Sequence, residues 1–365
     1  MKKIRVMVVD DSALMRKLIS EILTKDPELE VVNTAMDGMY ALKKIPLSKP
    51  DVITLDLDMP RMDGLTALRY IVNDYKIPVV LVSSHAIDGG NLTFEGLALG
   101  AVDFVTKPKD AISVHMHEVA RELILKVKLA SRTSLKKTSL SEAMKLSQQQ
   151  QMYRHKKSAL RGPLKKIVAI GISTGGPNAI SYLLPRLPED IAAAILIVQH
   201  MPEGFSETFA TRLDQVCKIR VREAKEGDPL VSGTAFIAPG NKHLKVAKVG
   251  MTGVAVLSAR PPVNGHRPSV DVLFDSVSQE FGSDAIGLLM TGMGEDGAHG
   301  LGSIKASGGY TMAQDEASCV VFGMPRAALD RGHVHEVVSL DAIPGRLTTL
   351  LKEVNTYADR SEQTL

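Results

Sequence analysis

The sequence predicts two doubly wound parallel α/β domains in a single chain. Short β-branched runs alternate with amphipathic stretches over residues 4 to about 125, and the same alternation resumes at Lys165. In both halves, the side chains best suited to chemistry sit directly after an apolar run, where parallel strands end in a shared crevice. In the first half the runs are Ile4–Val9, Val31–Ala35, Val52–Asp56, Val79–Ser83 and Val102–Val105. Between the first two, Leu14, Leu18 and Ile22 recur at helical spacing behind a capping Asp11-Ser12, which predicts a helix. Five such βα units predict a parallel sheet with helices on both faces.

With 365 residues, 44% apolar and 23% charged, the chain has room for two or three full cores. A formal charge of +3 gives no general attraction to nucleic acid or acidic membranes. The basic start Met1-Lys2-Lys3 is followed by Asp10-Asp11 after one short strand, so it does not read as a signal peptide. The longest apolar run, 191–198, is too short to span a bilayer. Cys217 and Cys319 show no metal spacing and read as two thiols rather than a disulfide. The expectation is a soluble, cytoplasmic protein.

The first candidate site gathers Asp10, Asp11 and Asp56 at strand ends, with Ser83 closing another strand and Lys107 beyond the last. Clustered carboxylates repel unless a cation neutralises them, and Mg²⁺ favours an oxygen shell of this kind. An Asp carboxylate there can attack a phosphoryl donor while the metal and Lys107 neutralise the transferred oxygens. Each acid alone also fits helix capping or a strand end.

Residues 126–162 change in character, with many Lys and Arg, one acid (Glu142) and the run Gln148–Gln151. They read as a solvated linker whose first part continues the preceding helix, since only one aromatic, Tyr153, and no recognition-helix pattern accompany the charge. Beyond it, Ile167–Gly171, Ala193–Val198, Ala235–Ile237, Val254–Leu257 and Ala285–Met290 read as strands. Gly171-Ile172-Ser173-Thr174-Gly175 fits G-x-S-x-G, with Pro177 in the first turn of the following helix. Alone this is weak, because Gly and Ser also fill turns. His200 after the second strand and Asp296 after the last supply a general base and an orienting acid for Ser173. The order Ser, His, Asp differs from the Ser, Asp, His order of lipase-like enzymes. Gly292–Gly297 also fits G-x-G-x-x-G, with Asp315 downstream for a ribose, but Glu295 and Asp296 would repel a pyrophosphate. The Met293 backbone N–H lies beside Asp296 and can serve an oxyanion. His243, His266, His299, His333 and His335 show no partner spacing.

The strings VVDDSALMRK, DVITLDLDMPRMDG, VLVSS and FVTKP resemble the receiver domain of two-component response regulators. The resemblance implies a flavodoxin-like domain with Asp56 as phosphoacceptor. Mg²⁺ would be held by Asp10, Asp11, Asp56 and the backbone of Asp58, with Ser83 and Lys107 as phosphoryl sensors and Phe104 at the aromatic switch position. AIGISTGGP, IVQHMP, FIAPG, RPSVDVLF, LLMTGMGEDG and AQDEASCVVFGMPRAA look like the catalytic domain of chemotaxis protein-glutamate methylesterases, the CheB family. That resemblance implies a Rossmann-like domain with an antiparallel hairpin, catalysis by Ser173, His200 and Asp296, and Thr174 and Met293 flanking the site. It further implies methyl-accepting chemoreceptors as substrates, a chemotaxis histidine kinase as phosphodonor, and no cofactor for ester hydrolysis. The expected organisation is a receiver over 1–125, a linker over 126–162, a catalytic domain over 163–355 and a disordered tail over 356–365. The rival expectation is a DNA-binding or adaptor response regulator without catalysis.

Overall fold

The computed structural model describes residues 2–83, 87–107, 116–133, 164, 166–250 and 252–362. The chain divides into two compact units, Met1–Lys145 and Leu146–Leu365. The expected linker lies largely outside the described residues, although the helix Met116–Arg132 runs seven residues past 125.

The first unit is a five-stranded parallel sheet of β1 (Ile4–Val9), β2 (Leu29–Ala35), β3 (Val52–Asp56), β4 (Val79–Ser83) and β5 (Asp103–Thr106), in the order β2-β1-β3-β4-β5. β3 and β4 are buried along their whole length, so both faces are covered and the sequence reads as continuous apolar runs rather than alternating ones. The order reverses about β1, which opens a crevice between the carboxyl ends of β1 and β3. The helix Ala13–Thr24 is capped by Ser12, which accepts from the Met15 N–H, and it buries Ile19, Ile22 and Leu23. Of the expected stripe, Leu14 is 65% exposed because it lies in the first turn rather than over the sheet.

The second unit is a seven-stranded parallel sheet. Its strands are β6 (Lys166–Ile172), β7 (Ala193–Gln199), β8 (Arg220–Glu223), β9 (Thr234–Ile237), β12 (Ala285–Leu289), β13 (Tyr310–Gln314) and β14 (Glu336–Val338). Their order is β14-β13-β12-β6-β7-β9-β8. β10 (His243–Val249) and β11 (Thr252–Ser258) form a separate antiparallel hairpin, which includes the expected strand Val254–Leu257. Central β6 pairs with β12 on one side and β7 on the other, so three adjacent strands end together. The helix Val270–Phe281 buries Val270, Leu273, Phe274, Val277 and Phe281 in a core shared with Leu196, Phe236, Leu289 and Leu301.

The closing helix Ile343–Glu362 extends into the stretch expected to be a disordered tail. It is anchored by buried Ile343, Leu347 and Leu351, and adding turns to a formed helix costs little. Cys217 and Cys319 are free thiols.

Candidate functional site

In the second unit, β6 delivers Ser173 into a tight turn before the helix Gly176–Leu183, which carries Pro177 in its first turn. Gly175 has φ +76°, and a Cβ on Gly176 would lie 1.8 Å from Gln199 Oε1, so the turn needs both glycines. Gln199, the last residue of β7, donates through Nε2 to the carbonyls of Ser173 (3.1 Å) and His200 (3.0 Å). The His200 N–H bonds to the Ile172 carbonyl at 3.2 Å, while the Ser173 N–H bonds to the Thr291 carbonyl at 3.0 Å. The ends of β6, β7 and β12 are thereby laced together by backbone and amide bonds.

The expected three residues meet. The Ser173 hydroxyl lies 3.1 Å from His200 Nδ1, and His200 Nε2 lies 2.8 Å from Asp296 Oδ2. The arrangement fits a neutral imidazole with its proton on Nε2, donating to the carboxylate and accepting the serine hydroxyl at Nδ1. Asp296 is 2% exposed. It also accepts from the Val270 N–H at 2.7 Å, the Ser269 hydroxyl at 2.7 Å, Asn264 Nδ2 at 3.1 Å and the Asp271 N–H at 3.3 Å. It therefore caps the helix Val270–Phe281 at its positive end. Burial alone would raise its pKa, but the hydrogen bond and electrostatic attraction of the His200 ring N–H, with the Val270 N–H and Ser269 hydroxyl, hold the carboxyl far below the usual range.

Gly292 packs against the serine, since a Cβ there would lie 2.8 Å from Ser173 Cβ. Thr174 is buried and Met293 half-buried. Among the described residues, neither of their backbone N–H groups donates a hydrogen bond. Asp315, weighed as a ribose contact, accepts from the N–H and hydroxyl of Ser318.

Sequence reasoning missed Gln199, Asn264, Ser269 and His266. The His266 ring stacks on His200 with centroids 3.7 Å apart and planes within 8°. Nothing in its spacing pointed there. The other histidines that the sequence left without partners are mostly satisfied locally. His243 accepts from the Ser269 N–H and donates to the Pro261 carbonyl, and His333 donates to the Ala298 carbonyl.

In the first unit, side-chain oxygens of Asp10, Asp11 and Asp56 all lie within 4.8 Å of one another. Lys107 Nζ approaches Asp10 Oδ2 to 2.9 Å and Asp56 Oδ2 to 2.7 Å. Those two buried oxygens have no well-directed hydrogen bond and meet the ammonium as a charge. Hard, buried, incompletely satisfied carboxylate oxygens are the donor set a divalent cation takes, so these residues fit Mg²⁺. Burial, reinforced by the Asp10 charge and opposed by Lys107, pushes the Asp56 carboxyl up to about 6. Asp58 has an exposed side chain outside this cluster, and its backbone N–H bonds to the Asp56 carboxylate. The Ser83 hydroxyl accepts from Thr93 Oγ1 at 2.6 Å, and the Lys107 N–H donates to the Ser83 carbonyl at 2.7 Å. Phe104 is buried edge-on to Phe94, with centroids 6.3 Å apart.

Comparison with known proteins agrees with both halves. A response-regulator receiver domain family matches residues 6–117, and a CheB methylesterase family matches residues 168–347. A protein-glutamate methylesterase/protein-glutamine glutaminase of Koribacter versatilis is 52% identical over 350 residues, covering 94% of this chain and 95% of that protein. Its counterpart in Pyrococcus abyssi is 45% identical over 343 residues, covering 94% and 92%. Among solved structures, the CheB methylesterase catalytic domain of Thermotoga maritima aligns with a TM-score of 0.50 at 38% identity, over 51% of this chain and 98% of that domain.

The fold and the hydrogen-bonded hydroxyl, imidazole and carboxylate define a class: a parallel α/β domain with a serine-hydrolase constellation, fused behind a receiver domain. Within that class, the chain belongs to the CheB family of protein-glutamate methylesterases/protein-glutamine glutaminases of chemotaxis.

Proposed function

We propose that Ser173 is the nucleophile, His200 the general base and Asp296 the acid that orients the imidazole, acting on γ-glutamyl methyl esters of methyl-accepting chemoreceptors. One observation supports this above the others. The two ring nitrogens of His200 engage Ser173 and Asp296 at 3.1 and 2.8 Å, in one continuous relay. The serine proton passes from Oγ to Nδ1 as Oγ attacks the ester carbonyl. Asp296, held as a carboxylate, then stabilises the imidazolium. The unengaged N–H groups of Thr174 and Met293 receive the oxyanion. The imidazolium returns its proton to the departing methoxide, which leaves as methanol, and water repeats the cycle to release the glutamate. A glutamine amide passes through a related tetrahedral intermediate and leaves as ammonia, so deamidation belongs to the same machinery.

In the receiver, Asp10, Asp11, Asp56 and the main chain of Asp58 would hold Mg²⁺. Bound there, the ion neutralises charge on a transferring phosphoryl group. Asp56 takes the phosphoryl group from a chemotaxis histidine kinase, Lys107 pairs with it, and Ser83 donates its hydroxyl to a phosphoryl oxygen. Phe104 occupies the position that follows this change. The reading is of a cytoplasmic protein; among the described residues no helix is long and apolar enough to cross a membrane.

Methanol release from methylated receptor membranes tests the reading. Ser173→Ala is expected to lower the rate by a factor on the order of 10⁶. A variant that retained wild-type release would remove Ser173 from the chemistry.

A further inference from the structure

We propose that the turn Val263–His266 positions the general base, with His266 as the residue that sets the tilt of the His200 ring. The inference rests on the assignment of His200 as base.

The turn is a tight one. Val263 and His266 exchange both backbone hydrogen bonds, at 3.1 and 2.9 Å. The residues between them, Asn264 and Gly265, have φ of +53° and +78°. Two consecutive positive φ angles at an Asn-Gly pair are the signature of a type I′ turn, whose shape is fixed by its own backbone. Its exit is clamped by Arg267. That guanidinium bonds to Asn241 Oδ1 through Nε and Nη2 at 3.0 and 2.5 Å, and through Nη1 to the carbonyls of Ala259 and Arg260 at 3.0 and 3.2 Å.

From this frame two side chains reach the catalytic set. Asn264 Nδ2 donates to Asp296 Oδ1 at 3.1 Å and to Asp271 Oδ2 at 2.7 Å, placing an amide between two carboxylates that would otherwise repel. His266 lies flat on His200, 3.7 Å away and within 8° of parallel. The two hydrogen bonds of His200 engage opposite ring nitrogens. They fix where the ring's edges point but resist only weakly a tip of the ring out of its plane. Tipping the line that joins Nδ1 and Nε2 carries the Nδ1 lone pair off the serine hydroxyl. A plate against one face removes that freedom and keeps water from that face, and its π-electrons favour the imidazolium that forms during attack. His266 is therefore a positioning residue.

The test uses the full chain with His266→Ala and His266→Phe. Phenylalanine keeps a flat ring, and the half-exposed site at an exposed turn accommodates its extra atom. Three quantities are read: kcat and KM for methanol release, the rate of Ser173 labelling by a fluorophosphonate, and the melting temperature. His266→Ala is expected to lower kcat and labelling in parallel by about tenfold or more, with KM little changed, as small misplacements of a catalytic group do. His266→Phe is expected to recover most of both. Each rate is taken well below the melting transition, so loss of folded protein does not enter it. Wild-type kcat in His266→Ala, equal impairment in both variants, or a loss confined to KM would overturn the proposal. Failure of the underlying assignment has a different signature: no labelling of Ser173 in the wild-type protein.

Discussion

Asp296 and Asp56 are buried alike, at 2% and 3% exposure, yet their surroundings shift the two carboxyl groups in opposite directions, Asp296 down and Asp56 up. Desolvation raises both. Asp296 overcomes it through five donors, two of them N–H groups of a helix first turn. Asp56 has the Lys107 ammonium in its favour and the Asp10 carboxylate against it, and burial wins. The consequence for stability has a definite sign. Its folded value of about 6 exceeds the ordinary value of about 3.9, so the fold favours the protonated form. That contribution is fully present below about pH 4 and is lost as pH rises through 6. At pH 7.5, Asp56→Asn is expected to stabilise the first unit by about 2 kcal/mol, and by nearly nothing at pH 4. Amide hydrogen exchange over β1 and β3 measures it. Equal gains at both pH values would show that Asp56 is not strained by its charge. For the same reason, added Mg²⁺ is expected to raise protection of these strands at pH 7.5 and much less at pH 5, where protons compete for the carboxylate.

At the scale of elements, the loop after β12 does most to assemble the second site. Gly292 bonds into Val321 through its N–H and lies where an added methyl would meet Met324 Sδ at 2.2 Å and Ser173 Cβ at 2.8 Å. The methionine tip can yield; the turn that holds Ser173 cannot easily do so. Gly292→Ala is thus expected to cost about 1–3 kcal/mol of stability and to lower kcat by roughly tenfold to a hundredfold. Thermal melts and methanol release check the pair, and unchanged kcat would mean the loop tolerates a shifted serine. Legibility followed burial. β1, β3 and β4 in the first unit, and β6, β7 and β12 in the second, are largely apolar runs, and the residues at or just beyond their ends announced both sites. Ser173 and His200 were readable for that reason, and Asp296 because its loop follows β12. β8 alternates exposed and buried residues along Arg220–Glu223, and β14 has only three residues, so neither rises above its surroundings. β10 carries two lysines, and β13 mixes Thr and Gln into its buried face. Asn264 and His266 were illegible for a different reason. They sit on a turn, where neither helical nor strand periodicity links a residue to what it touches.

The whole molecule joins two sheets, each with its chemistry at the point where strand order reverses, and the fusion makes sense if the first site governs the second. On the proposed role of Asp56, its phosphorylation would add roughly −1.5 to −2 charge beside Lys107, which now divides its ammonium between Asp10 and Asp56. A phosphoryl oxygen that takes the Ser83 hydroxyl pulls on a group already bonded to Thr93 of the helix Ile87–Ala98. Phe94 of that helix packs edge-on against Phe104 of β5, so helix and strand respond together. Couplings between two sites are typically about 1–3 kcal/mol, some five- to 150-fold in an equilibrium constant. Asp56→Ala is therefore expected to keep the basal rate of methanol release and to lose its stimulation by acetyl phosphate. Thr93→Val, which leaves the carboxylates intact, is expected to accept the phosphoryl group yet respond less. If Asp56→Ala were stimulated as strongly as the wild type, the phosphodonor would be acting elsewhere, and the receiver would not control the esterase through Asp56.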